Sequence, residues 1–216
     1  MLSLVSERIE NYVSKHTSEV SNLFKQLEDE TYKNVSMPQM LSGPVVGNLL
    51  ASLVAMSQAS RILEVGTFTG YATLMMAEAL IDKDGSVITI DRDEICTAIA
   101  QKYWSKSSGG NKISQLIGDA NKTLDEIDGP FDLIFIDADK ESYPQYYEKC
   151  LNLLKPNGIM VLDNMLWSGT VVEDGNKDLA VVTLRNLANT INKDARVLNV
   201  LLTVRDGLML VRKKTN

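Results

Sequence analysis

Histidine is almost missing from this 216-residue chain: His16 is the single one. A hydrolytic triad built on histidine needs it among other polar groups. His16 lies instead in an N-terminal stretch that reads as a helix with a surface or packing role, so conventional triads are excluded. Cysteine is nearly as scarce. Cys96 and Cys150 fall in separate helical stretches without metal-type spacing, which fits small buried thiols in a reducing compartment. Positive charge is in deficit, with 22 Lys and Arg against 28 Asp and Glu and a net charge of −6. That balance opposes non-specific attraction to phosphate backbones, and nucleic acid is not an expected partner. No apolar run is long enough to span a bilayer. Met1 to Glu7 turns charged too early for a signal peptide, so a cytoplasmic protein without membrane contact is expected.

What is present is an ordinary globular mix, 44% hydrophobic and 23% charged, enough for one domain over 1–216 with a core of its own. Residues 1–57 read as a helical cap, a substrate and dimer region. Leu4, Ile9, Tyr12 and Val13 fit one helical face, and Val20, Leu23, Phe24 and Leu27 fit another. A third helix starts near Pro44 and runs through Val46, Leu49, Leu50 and Leu53, after a polar, Met-rich loop from Tyr32 to Gly43. Residues 58–216 alternate strand and helix. Strands are expected at Arg61–Val65, Ser86–Ile90, Lys112–Ile117, Phe131–Ile136 and Ile159–Leu162. Helices are expected at Tyr71–Leu80, Glu94–Trp104, Tyr143–Leu154 and Leu179–Ile191. The turn Lys155-Pro156-Asn157-Gly158 closes the third of these. Arg196–Val204 and Leu208–Arg212 form a closing hairpin around Arg205-Asp206-Gly207. Such alternation implies a mostly parallel sheet, here of seven strands, with helices on both faces and an antiparallel hairpin at its end.

Four of these strands end in an acid: Asp91, Asp119 (after Gly118), Asp137 and Asp163. One acid at a strand end is usually a cap or turn former. Four in succession, on neighbouring parallel strands, would line the rim where such sheets bind ligands. The turn after the first strand, "LEVGTFTGY", holds Gly66 and Gly70, but Phe68 stands where a dinucleotide fingerprint needs its second glycine. Glu64 would repel a phosphate, and a cationic or hydroxyl-rich ligand suits the loop better.

Together the Glu64-Val65-Gly66 loop, Asp91 and "GDA" at Gly118–Ala120 resemble class I S-adenosylmethionine-dependent methyltransferases, which have a Rossmann-like fold. "DADK" at Asp137–Lys140, "DNMLWSG" at Asp163–Gly169 and "RDGLMLVRK" at Arg205–Lys213 narrow the resemblance to the cation-dependent O-methyltransferases of the caffeoyl-CoA and catechol type. It extends from about Met37 to the C-terminus. The resemblance implies that Asp137, Asp163 and Asn164 hold a divalent cation and that Lys140 is the general base. It implies that Ser42, Glu64, Gly66, Thr67, Gly70, Ala72, Asp91, Ala120 and Asp139 bind S-adenosylmethionine. Asp137, Trp167 and Ser168 would border the acceptor, a small phenolic molecule, and the protein would be a homodimer. Ala72 and Ser168 replace a serine and an asparagine of the plant caffeoyl-CoA enzymes, which argues against caffeoyl-CoA itself as substrate.

The chemistry is consistent with those roles. Two carboxylates and an amide oxygen are hard ligands suited to Mg²⁺ first, and to Mn²⁺ or Ca²⁺. Their open positions would take the two oxygens of a vicinal aromatic diol, and a neutral lysine beside them would take the reacting hydroxyl's proton. Two other readings stand beside this one. A tRNA nucleoside hydroxyl could be the acceptor, with Lys102, Lys106, Lys112 and the tail Arg212-Lys213-Lys214 as a basic patch. The chain could also be a cofactor-binding module without turnover.

Overall fold

The computed structural model describes residues 4–215. Three helices come first: α1 (Glu7–Lys15), α2 (Asn22–Asn34) and α3 (Gly43–Ser57). Strands β1 (Arg61–Val65), β2 (Ser86–Asp91), β3 (Ile113–Ile117), β4 (Phe131–Ile136) and β5 (Leu154–Leu162) then alternate with α4 (Tyr71–Ala79), α5 (Glu94–Trp104), the short α6 (Ala120–Thr123) and α7 (Tyr143–Leu153). Helix α8 (Leu179–Lys193) and the hairpin β6 (Val197–Leu202)–β7 (Leu208–Lys213) close the chain. The strands form one sheet in the order β3-β2-β1-β4-β5-β7-β6. Pairing is parallel from β3 to β5 and antiparallel from β5 to β6.

β4, Phe-Asp-Leu-Ile-Phe-Ile, is buried along its whole length. A strand covered on both faces has no solvent side to mark with polar residues, hence the apolar run from Leu133 to Ile136; the buried Asp132 before it accepts from the Ser60 and Arg61 amides at 2.9 and 2.7 Å. One face of the sheet packs on Tyr143, Tyr147 and Cys150 of α7 and on Leu184, Leu187 and Ile191 of α8. The other packs on Val46, Leu50 and Val54 of α3 and Met76 of α4. Truncating a fully buried leucine such as Leu50 to alanine would cost about 2–5 kcal/mol. By length and composition alone the stretch Pro38–Ser57 is apolar enough to cross a membrane. Val46, Leu50, Leu53 and Val54 of this stretch pack with α4 and the sheet, while Met40 and Met56 stay exposed.

The structure departs from the sequence expectations in four places. The apolar face of α1 is exposed, with no buried residue in the helix, because only a few of its residues approach α3. The Tyr32–Gly43 loop carries one 3-10 turn at Pro38–Met40. β5 begins at Leu154 rather than Ile159. Leu154 pairs with Phe131 and Ile159 with Leu133, so Lys155–Gly158 bulges within the strand instead of ending a helix before it. Asn157 takes φ +62 in that bulge. β6 stops at Leu202, because Gly207 N–H donates to the Val204 carbonyl at 2.9 Å and closes the turn early.

Candidate active site

The strand order sets Asp91, Asp119, Asp137 and Asp163 along one rim of the sheet, and all four line a single cavity of about 750 Å³. Pockets for small ligands run to roughly 300–1,000 Å³, so this one has room for a cofactor and a small acceptor. Seven aspartates and three cations line it. That surplus of acid suits a cationic, hydroxyl-rich or metal-bearing occupant.

On the β1–β2 side the glycine loop is fixed by its own hydrogen bonds. Gly66 takes φ +100, and a side-chain carbon there would sit 2.0 Å from the Asp137 carbonyl oxygen. Only glycine lets the end of β1 pass the end of β4 this closely. Asp91 Oδ2 accepts from the Thr67 and Phe68 amides at 2.9 and 2.8 Å, and Oδ1 from the Asp93 amide at 3.0 Å. A carboxylate has about four lone-pair sites, so one remains for a ligand hydroxyl. Ser42, before α3, and Ala120, at the start of α6, also reach the cavity, as do Gly66 and Asp139.

The structure places four of the expected cofactor residues behind the wall instead. Glu64 is fully buried, and its Oε2 accepts from the hydroxyls of Thr73 and Thr89. Thr89 spends its one proton on Glu64, so in the 2.6 Å pair with Thr67 the donor is Thr67. Burial pushes the Glu64 carboxyl up to about 8, against the pull of Thr73 and Thr89. Ala72 packs in the apolar layer with Leu50 and Met76. Gly70, at φ +78, leaves room for Trp104, whose Nε1 donates to the Gly70 carbonyl at 3.0 Å. Glu64, Thr67, Gly70 and Ala72 therefore shape the loop without facing its cavity.

The β4–β5 side is different. Lys140 is 8% exposed, and its Nζ donates to Asp137 Oδ1 at 3.0 Å and to the Tyr143 hydroxyl at 2.6 Å. Tyr143 in turn has the Ile136 and Asp163 carbonyls within 3.2 and 3.1 Å of its oxygen. Burial, with the charges of Asp137 and Asp163, raises the Tyr143 pKa well above a phenol's usual value. Burial first, and the charge of Asp137 second, raise the Asp163 carboxyl; Lys140 works against both. A hard divalent cation between two such carboxylates would hold both ionised. Among the described residues, no three His, Cys, Asp or Glu side chains converge as a metal site. A cation here would need the Asn164 amide as its third ligand.

Asn164, Trp167 and Ser168 take φ of +59, +43 and +55. Left-handed backbone costs a non-glycine residue about 1–2 kcal/mol and persists only where its surroundings impose it. The β6–β7 turn imposes it. The Met165 and Leu166 amides donate to the Gly207 and Asp206 carbonyls, both at 2.9 Å. The buried Asp206 carboxylate accepts from the Ser168 amide and, at 3.3 Å, from Asn164 Nδ2. The sequence marks Asp206 as part of a turn and of the RDGLMLVRK motif, without a role in the site; nothing in a one-residue signal foretells a buried acid. Tyr143 and Tyr146 were equally missed. Tyr146 donates to Asp139 Oδ1 at 2.8 Å and fixes it on the wall. Their spacing of three and six residues from Lys140 was the available clue, since i, i+3 positions share a helical face.

Known proteins resemble this chain in sequence and in fold. The sequence model of the O-methyltransferase family matches residues 14–214. The chain is 34% identical over 225 residues to a caffeoyl-CoA O-methyltransferase of Populus kitakamiensis, covering 97% of this chain and 95% of that protein. It is 37% identical over 149 residues to a catechol O-methyltransferase of Niastella koreensis, covering 67% of each. A crystal structure of an O-methyltransferase from Bacillus cereus in complex with SAH superposes with a TM-score of 0.87 at 27% identity, over 96% of this chain and 97% of that one.

Proposed function

The chain belongs to the S-adenosylmethionine-dependent O-methyltransferase family of the caffeoyl-CoA and catechol type, and from that premise we propose that it methylates a hydroxyl of a catechol-like small molecule with the help of a divalent cation. The observation that carries this reading is the convergence of Asp137, Asp163, Asn164 and the buried amine of Lys140 on one wall of the cavity. S-adenosylmethionine supplies an activated methyl on a sulfonium, and a cation held by Asp137, Asp163 and Asn164 would supply Lewis-acid stabilisation of the acceptor's oxygens.

The remaining work falls to the chain. Asp91 and Asp139 hold the cofactor end, with Tyr146 keeping Asp139 in place. Trp167 and Ser168 fix the position of the acceptor ring. Lys140 Nζ takes the proton of the reacting hydroxyl; that oxygen bonds to the methyl carbon as the carbon–sulfur bond breaks. Tyr143 is not the base, because burial among three aspartates keeps its phenol neutral. Its hydroxyl and Asp137 instead hold Nζ at the wall, so deprotonation needs no rearrangement. The test is methyl transfer to a panel of catechols with Mg²⁺ and with EDTA, in wild type and Lys140→Met. Chelation should abolish turnover, and the substitution should lower kcat by about 10²–10⁴-fold, the range of a lost general base. Full activity in EDTA would overturn the metal part, and full activity of the variant the base.

A further inference from the structure

Arg205 is a cation on the cavity wall that the chemistry above leaves without a task. Its neighbour Asp206 clamps the Asn164–Ser168 loop, so the arginine's backbone is anchored to the part of the wall assigned to the acceptor. Its φ is +48. Glycine would relieve that backbone, yet the position carries a long charged side chain, and strain of this kind gathers at functional sites. The guanidinium lies over the start of α3: a side-chain carbon at Gly43 would come within 3.3 Å of Arg205 Nη1. Among the described residues, the guanidinium makes no hydrogen bond and has no carboxylate within 4 Å, despite the aspartates sharing its cavity. Lys140, by contrast, is already engaged by Asp137 and Tyr143. Arg205 is exposed, yet it lines the cavity beside Asp206 and Ser168, so its charge stands at the cavity mouth, open to an incoming ligand.

We propose that Arg205 selects the acceptor: the substrates of this site are catechols whose side chain carries a carboxylate, and the Arg205 guanidinium pairs with it. The inference rests on the catechol reading and adds to it the chemistry of the molecule's far end. An acceptor held by its hydroxyls at Asp137, Asp163 and Asn164 turns its opposite end toward the remaining wall. There a free planar fork matches a carboxylate with two parallel hydrogen bonds. The same fork would take a phosphate. The surplus of aspartates decides against the more highly charged group, because each acid on the wall penalises a dianion more than a monoanion.

The experiment compares two acceptors, 3-(3,4-dihydroxyphenyl)propionate and its neutral amide, in wild type, Arg205→Gln and Arg205→Lys. The intrinsic reactivities of the two catechols cancel when the carboxylate-to-amide ratio of kcat/KM is compared between proteins. That ratio should fall at least about tenfold in Arg205→Gln, the size of a lost charge-assisted hydrogen bond. Arg205→Lys should keep part of it, having the charge without the fork. Calorimetric binding of the two acceptors to the protein with Mg²⁺ and S-adenosylhomocysteine should show the same change of ratio without turnover. A ratio unchanged in Arg205→Gln would overturn the proposal. So would a rise confined to the KM for S-adenosylmethionine, which would assign Arg205 to the cofactor's own carboxylate. If the wild type methylates neither acceptor, the catechol reading itself fails and takes this inference with it. Turnover of the amide with an unchanged ratio fails the inference alone.

Discussion

The two halves of the cavity rim are built in opposite ways. Along β1 to β3, polar groups are used on one another: Asp91 on the amides of the glycine loop after β1, Thr67 on Thr89, and Thr89 and Thr73 on Glu64. Along β4 and β5, Asp137, Asp163 and Lys140 crowd together, and the burial that would neutralise Asp163 is resisted first by Lys140 and then by the Asn164 amide and Arg205. The first half spends its polarity on holding a shape. The second keeps polarity in reserve for a ligand. A site that must grip a cofactor and also perform chemistry needs both, and the sheet separates them at the crossing of β1 and β4, where Gly66 lets the two strand ends meet.

The largest test of this division is Asp163→Asn. If the β4–β5 half serves chemistry, activity with Mg²⁺ should fall by roughly a thousandfold, the several kcal/mol of a disturbed metal contact. Stability in EDTA, measured by urea denaturation, should hold or rise by about 1 kcal/mol, because one of two facing carboxylates has gone. The amide oxygen can still accept from the Asn164 backbone, as Asp163 Oδ1 does at 2.6 Å. A loss of more than about 2 kcal/mol, on the scale of a broken buried network, would move Asp163 into the shape-holding half and erase the contrast.

The same division explains what the sequence could reveal. The strand–helix alternation, the closing turn and the acids at four strand ends are local signals, and the sheet, its hairpin and the rim followed from them. Whether a motif residue faces the cavity is not local. Glu64 falls in the loop's motif and Ala72 just beyond it, yet the side-chain direction of β1 and the packing of α4 on α3 turn them away. Asp206 shows the reverse: an acid in a turn of ordinary composition becomes a support of the site because the hairpin folds back onto the Asn164 loop. α1 has the spacing of a buried helix and remains exposed. Periodicity predicts a face, but not the presence of something to cover it.

Asp206 lies between the two halves in character, a buried acid fully used, but used to aim the ligands of the chemical half. Asp206→Asn would set an amide donor against Asn164 Nδ2. Metal affinity should weaken by about 10–100-fold, as for other outer partners of metal ligands. Mg²⁺ titration of activity would show an increased requirement with much of kcat restored at high Mg²⁺. A purely structural role would lower the melting temperature and leave the Mg²⁺ requirement where it was.

The last test probes the shape-holding half through pH. Glu64 has its carboxyl raised by burial from 4.5 to about 8. Between those values the folded chain binds a proton that the unfolded chain has released. Its stabilising contribution is therefore complete below pH 4.5 and is lost as pH rises to about 8, with a slope of up to about 1.4 kcal/mol per pH unit. Glu64→Gln mimics the protonated form and cannot ionise. The variant should match the wild type near pH 5 and become the more stable of the two toward pH 8, as read by urea denaturation at each pH. Parallel pH profiles would mean that Glu64 is already ionised in the folded protein. The β1–β3 half would then also hold charge in reserve, and the distinction between the two sides of the rim would rest on Lys140 alone.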